Sequence, residues 1–217
     1  MSKMTGPVYC EQTLQSGFFE PINTITNSAF IIAGFFMIFQ LKKTGIIDFK
    51  GWFLSSILII IGLGSLAWHL YRNNATLWAD SLPIAIFVLT YLFFYLKFTT
   101  KKSWHRILLF ISFFIYTPVL SIFLDIFEIG IFDNGGASYF SAITYLLLVQ
   151  IYNYYNERDV IKKSLIIIGL FLLSLFFRQI DLYVCEYTGF GTHFIWHILN
   201  ALTLYLMIRL LYHKKIL

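Results

Sequence analysis

Charge is scarce in this chain: of 217 residues only 12% are Asp, Glu, Lys or Arg, against 59% hydrophobic and 20% aromatic. One soluble domain of that size could not bury so much apolar surface, so the shortage excludes it and indicates a membrane protein. Cysteine is scarcer still. The two present, Cys10 and Cys185, leave room for one bridge at most. Residues 1–23 lack the short apolar core of a cleavable signal peptide, so none is expected.

What the chain does have is apolar residues in blocks of roughly twenty, the length that crosses about 30 Å of hydrocarbon. Seven are read, at about 22–41, 52–70, 79–98, 107–127, 139–155, 164–183 and 194–212. The expected fold is an all-α membrane protein, a seven-transmembrane helix bundle forming one domain over residues 1–217, with 1–20 as an N-terminal extracytoplasmic segment. The net charge of +5 does not indicate nucleic acid, because the cations fall at alternate ends of the blocks. Lys42, Lys43, Lys50, Lys97, Lys101, Lys102, Arg106, Arg158, Lys162, Lys163, Arg209, Lys214 and Lys215 share one side, whereas Lys3, Arg72 and Arg178 fall on the other. By the positive-inside rule the N-terminus is outside and the C-terminus cytoplasmic.

Residues 191–200 place His193 and His197 one helical turn apart within an apolar run. Positions four apart share a helix face, so two imidazoles there can meet one ion. Taken alone, the pair reads as well as a helix end and a core histidine bonded to a carbonyl. The second block ends with Ser65 and His69 on one face, and Asp80 followed by Pro83 reads as the start of the third helix, with Asp80 as its N-cap. Topology then brings His69, Asp80, His193 and His197 to the outer ends of their spans, with Ser65 a turn below His69. Ionisable groups inside spans are costly and usually functional, so a metal site is expected there. His105 and His213 lie among the cytoplasmic cations and need no ligand role.

Other polar residues have plainer readings. Glu20 sits at the outer mouth of the first span, just before a proline suited to a first helical turn. Asn23, Thr24 and Asn27 read as capping and interhelical bonding. Asp125 and Glu128 read as solvated loop acids, and Arg178 with Asp181 as an intramembrane pair. Cys10 and Cys185 both fall outside, where disulfides persist, and are expected to form one.

With Cys10-Glu11, Glu20-Pro21-Ile22-Asn23-Thr24, Ser65-x3-His69-x10-Asp80, Asp181-x3-Cys185 and His193-x3-His197 in view, the chain closely resembles the alkaline ceramidase family over nearly its whole length. These are seven-span zinc amidohydrolases in the wider group that includes adiponectin-receptor-like proteins. The resemblance implies zinc on His69, His193 and His197, with catalytic roles for Ser65 and Asp80. It also implies an extracytoplasmic calcium site at Glu11 and Glu20, although Val8 stands where an acid is expected and the spacing of the two glutamates is short.

The expected activity is cleavage of the N-acyl amide bond of a ceramide-like lipid to a sphingoid base and a fatty acid, with the site toward the extracytoplasmic side. Three histidines leave a fourth zinc position for an activated water. Asp80 would move a proton and Ser65 would donate to the oxyanion. A lipid could enter sideways from the membrane; neither nucleic acid nor a protein partner is implied. Two alternatives stay open: a seven-span zinc-containing receptor or transport-type protein without amidase activity, and haem held by opposed histidines.

Overall fold

The structure, a computed structural model, describes residues 6–14, 20–127, 135–153 and 158–212. The regular structure among these is helical: α1 Cys10–Leu14, α2 Pro21–Thr26, α3 Ser28–Lys43, α4 Phe49–Tyr71, α5 Asn74–Thr99, α6 Ser103–Ile126, α7 Gly136–Asn153, α8 Arg158–Gln179, α9 Asp181–Thr188 and α10 His193–Leu210. Among the described residues, six segments are long and apolar enough to cross a membrane: α2 with α3 as Pro21–Lys43, then α4, α5, α6, Asp159–Gln179 within α8, and α10. The chain is therefore a multi-pass membrane protein. The block expected at 139–155 forms α7, packed against α6 and α8. It carries no charge, but Ser, Thr, Tyr, Gln and Asn dilute its apolar residues, and it is not among the six.

Helix α4 packs against both α3 and α5, and α10 against α8 and α3. Met37, Leu41, Leu54, Leu58, Phe87, Leu92 and Ile208 interlock there, fully buried. In hydrocarbon such packing, rather than exclusion of water, holds helices together. Helix α6 lies at the edge of the bundle, exposing Ile107, Ile111, Ile115, Val119 and Ile122.

The helix ends explain where the polar residues stand. Asp48 caps α4, accepting from Gly51 N at 2.9 Å. At the start of α5, Asn73 accepts from Thr76 N at 3.0 Å while Asn73 N donates to Thr76 Oγ1 at 3.1 Å, a reciprocal capping box. That box moves the start of the third span upstream of the expected position. Asp80 is consequently not an N-cap but a side chain within the second turn, available for another task.

Two polar ends result. At one, Lys50 lies 4.3 Å from the Tyr212 ring centroid and Lys42 lies 5.4 Å from that of Trp52, while Tyr212 donates to Asp48. His105, paired with Tyr152 at 2.5 Å, belongs to the same cationic end and to no site. At the other end the disulfide Cys10–Cys185 ties α1 to α9 with a Cα–Cα distance of 5.3 Å. Asp125, expected in a loop, is exposed but lies in the last turn of α6. Glu128, Lys3, His213, Lys214 and Lys215 lie outside the described residues.

Candidate metal centre

The last turn of α4 supplies His69, and the first two turns of α10 supply His193 and His197. All three are buried, and each offers a ligand nitrogen within 4.8 Å of the others, the one such group of three among the described residues. Their ring centroids are 5.3, 4.9 and 4.6 Å apart.

Each ring is held from behind. His69 Nδ1 donates to Glu20 Oε2 at 2.8 Å. His197 Nδ1 shares a hydrogen bond with Thr26 Oγ1 at 3.0 Å. With both Nδ1 atoms engaged, Nε2 is the nitrogen left for an ion, the arrangement that fixes tautomer and ring orientation in metal sites. Tyr9 stacks on His193 at 3.5 Å, and the buried His193 Nδ1 has no hydrogen-bond partner. Three convergent imidazoles with one unpartnered buried nitrogen fit zinc, which takes nitrogen ligands in tetrahedral array. They do not fit haem, because a third imidazole meeting the other two leaves no plane for a macrocycle.

The partners of these histidines are the residues that sequence reasoning placed differently. Glu20 is completely buried. Burial pushes its pKa up, but the hydrogen bond and charge of His69, then Arg72 and Asn23, outweigh this and hold the carboxyl below its ordinary value. Glu11 caps α2, accepting from Ile22 N at 2.9 Å and Asn23 N at 2.7 Å. Burial raises the Glu11 pKa against the pull of those two amides.

Asp181 accepts from Cys10 N at 2.7 Å, Thr192 N at 2.7 Å and His193 N at 2.8 Å, so one carboxylate fastens the N-terminal segment to the start of α10. Burial raises its pKa while these amides oppose the rise. Such close approach requires glycine at 191: φ is +66°, and a Cβ would lie 2.2 Å from Asp181 Oδ1. Arg178, expected to pair with Asp181, instead donates to Tyr9 Oη at 2.5 Å and lies 5.3, 5.3 and 5.4 Å from the Tyr9, Tyr139 and Trp196 ring centroids.

The three histidines line a cavity of about 240 Å³ together with Ser65, Asp80 and Tyr139. Ser65 comes to this cavity from α4 and Asp80 from α5. Gly64 makes the approach of these helices possible, since a Cβ there would lie 2.0 Å from Ala79 O. Pro83 contributes as well, because it has no N–H to give that same carbonyl. Glu11 and Glu20, the expected calcium ligands, have their oxygens turned to other partners. Both oxygens of Glu11 hold the amides of α2 and those of Glu20 face His69 and Arg72, whereas calcium takes six to eight oxygen ligands.

Fold and site thus define a class, a multi-pass membrane protein in which two helices converge three histidines beside a serine–aspartate pair. The chain matches the family model described as Ceramidase over residues 8–216, essentially its whole length, and belongs to that family. No curated protein sequence matches it.

Proposed function

We propose that the protein is a zinc-dependent intramembrane amidohydrolase that cleaves the N-acyl amide of ceramide-like lipids. Family membership supports ceramide hydrolysis. The observation that carries the finer reading is that Ser65 and Asp80 line the same cavity as three buried histidines. A site that only held an ion would gain nothing from a hydroxyl and a carboxylate on its open side.

His69, His193 and His197 would hold zinc, which when bound would supply a water acidified to a pKa of about 7. Asp80, lining the cavity, would take the proton of the attacking water as the water oxygen bonds to the amide carbon. Ser65, lining the same cavity, donates its hydroxyl to the developing oxyanion. Asp80 then gives its proton to the amide nitrogen, the C–N bond breaks, and a fatty acid and an amine leave. The apolar walls, Ile61, Ile84 and Trp196 among them, admit an acyl chain.

The same proposal makes α7 the seventh span, with the N-terminus outside and the C-terminus cytoplasmic. Its 18 residues rise about 27 Å at 1.5 Å each, close to the hydrocarbon thickness. The decisive experiment compares Asp80→Asn with wild type on purified protein and a long-chain ceramide. The variant should keep its zinc and lose roughly 10²–10⁴-fold in turnover, the scale of general acid–base catalysis. Wild-type turnover in the variant would remove Asp80 from the chemistry. Absence of fatty-acid release by wild type from any long-chain amide would favour the receptor reading.

A further inference from the structure

The end of the molecule where calcium was expected already contains a cation. Arg72 is 4% exposed, and its guanidinium sits among three oxygens from separate parts of the chain. Nη1 faces Glu20 Oε1 at 3.2 Å, Nη2 donates to the Pro7 carbonyl at 2.6 Å, and Nη2 also donates to Gln12 Oε1. Its carbon lies 4.2 Å from the Trp68 ring centroid and 5.7 Å from that of Tyr9, so aromatic faces close the cage.

The backbone is shaped to the purpose. Arg72 is the one non-glycine with positive φ among the described residues, at 48°, and this left-handed turn ends α4 three residues beyond His69. A turn of this kind usually takes glycine or asparagine, because a Cβ crowds the backbone there. Arginine is held here against that preference, and its side chain folds back over Trp68 to reach Glu20.

We propose that the Arg72 guanidinium takes the place of a divalent cation, tying the N-terminal segment to Glu20 and thereby positioning His69 without calcium. The chain of contacts is continuous: Pro7 and Gln12 to Arg72, Arg72 to Glu20 Oε1, and Glu20 Oε2 to His69 Nδ1. A guanidinium suits this task because it is always charged and fans its N–H groups in a plane toward several acceptors. The other residues complete the substitution. Val8 offers no side-chain oxygen, and Glu11 is turned away to cap α2. Arg72 touches neither the cavity nor the ligand nitrogens, so it is a positioning residue.

The inference rests on the three-histidine zinc reading, and its test separates the two. Purified full-length protein, freed of calcium, is titrated with calcium chloride while bound calcium, melting temperature and zinc affinity are followed. Wild type should bind no stoichiometric calcium and show no change in either property. One equivalent of bound calcium, or a rise in melting temperature with calcium, overturns the proposal. In parallel, zinc affinity is measured by chelator competition for Arg72→Gln and Arg72→Lys. The glutamine variant should lose about 10–100-fold, the usual effect of removing support behind a metal ligand. Lysine, which keeps the charge but not the fork, should recover part of the loss. Equal affinities for the two variants, or an unchanged affinity in Arg72→Gln, also overturn it. Failure of wild type to bind zinc would instead refute the reading beneath.

Discussion

Glu20 shows how little of a residue's role is written beside it. Its carboxylate divides between His69 and Arg72, 49 and 52 positions away in the chain, and both oxygens are buried. The charge draws the proton of His69 to Nδ1 and leaves Nε2 for the metal. Glu20→Gln, nearly the same size, still accepts from His69 but carries no charge. It should weaken zinc binding about 10–100-fold while leaving the helical circular-dichroism signal unchanged. Chelator competition measures this, and an affinity equal to wild type would deny Glu20 its role. The three histidines and the two cysteines were legible because local spacing or simple scarcity points to them. Thr26 behind His197 and Asp181 beneath His193 and Cys10 were not, since they act across sequence separations of 171, 12 and 171. A polar residue in an apolar run signals a partner without saying which.

At the scale of elements, the contact between α4 and α5 brings Ser65 and Asp80, the proposed catalytic residues, to one cavity. Gly64 presses its backbone against Ala79 O, and the residue following each partner, Ser65 and Asp80, reaches the same cavity. Gly64→Val would place a Cβ 2.0 Å from a backbone oxygen that cannot swing aside, so the helices must part. Overpacking of this kind costs about 1–3 kcal/mol. The variant should melt lower and lose more turnover than zinc, because Ser65 and Asp80 separate while both histidine turns of α10 stay intact. A drop in melting temperature with unchanged turnover would mean that the pair does not depend on this contact. The start of α5 was legible and was misread: Asn73 and Thr76 have the spacing of a capping box, but Asp80 with Pro83 drew attention to the later position. The break after α8 was hidden, for nothing local shows that Asp181 will be claimed by amides from elsewhere.

At the scale of the whole molecule, two independent asymmetries support the proposed orientation. Lysines 42, 50 and their neighbours gather at one end, where aromatic rings hold them, while the disulfide and the three histidines occupy the other. Under the proposed orientation, cation bias would put the first end in the cytoplasm. Redox chemistry would keep the second end out of the cytoplasm, because a reducing cytoplasm would not preserve the Cys10–Cys185 bond. The number of spans is harder to read from composition: α7 crosses on length and falls short on hydropathy, since Gln150 and Asn153 are buried inside the bundle rather than turned to lipid. Orientation depends on that count, because six spans would put both termini on one side and seven put them on opposite sides. A reporter fused after Leu217 should therefore be cytoplasmic and one fused before Met1 extracytoplasmic. Both on the same side would remove α7 from the membrane, whereas both reversed would move the zinc site to the face where its own disulfide could not last.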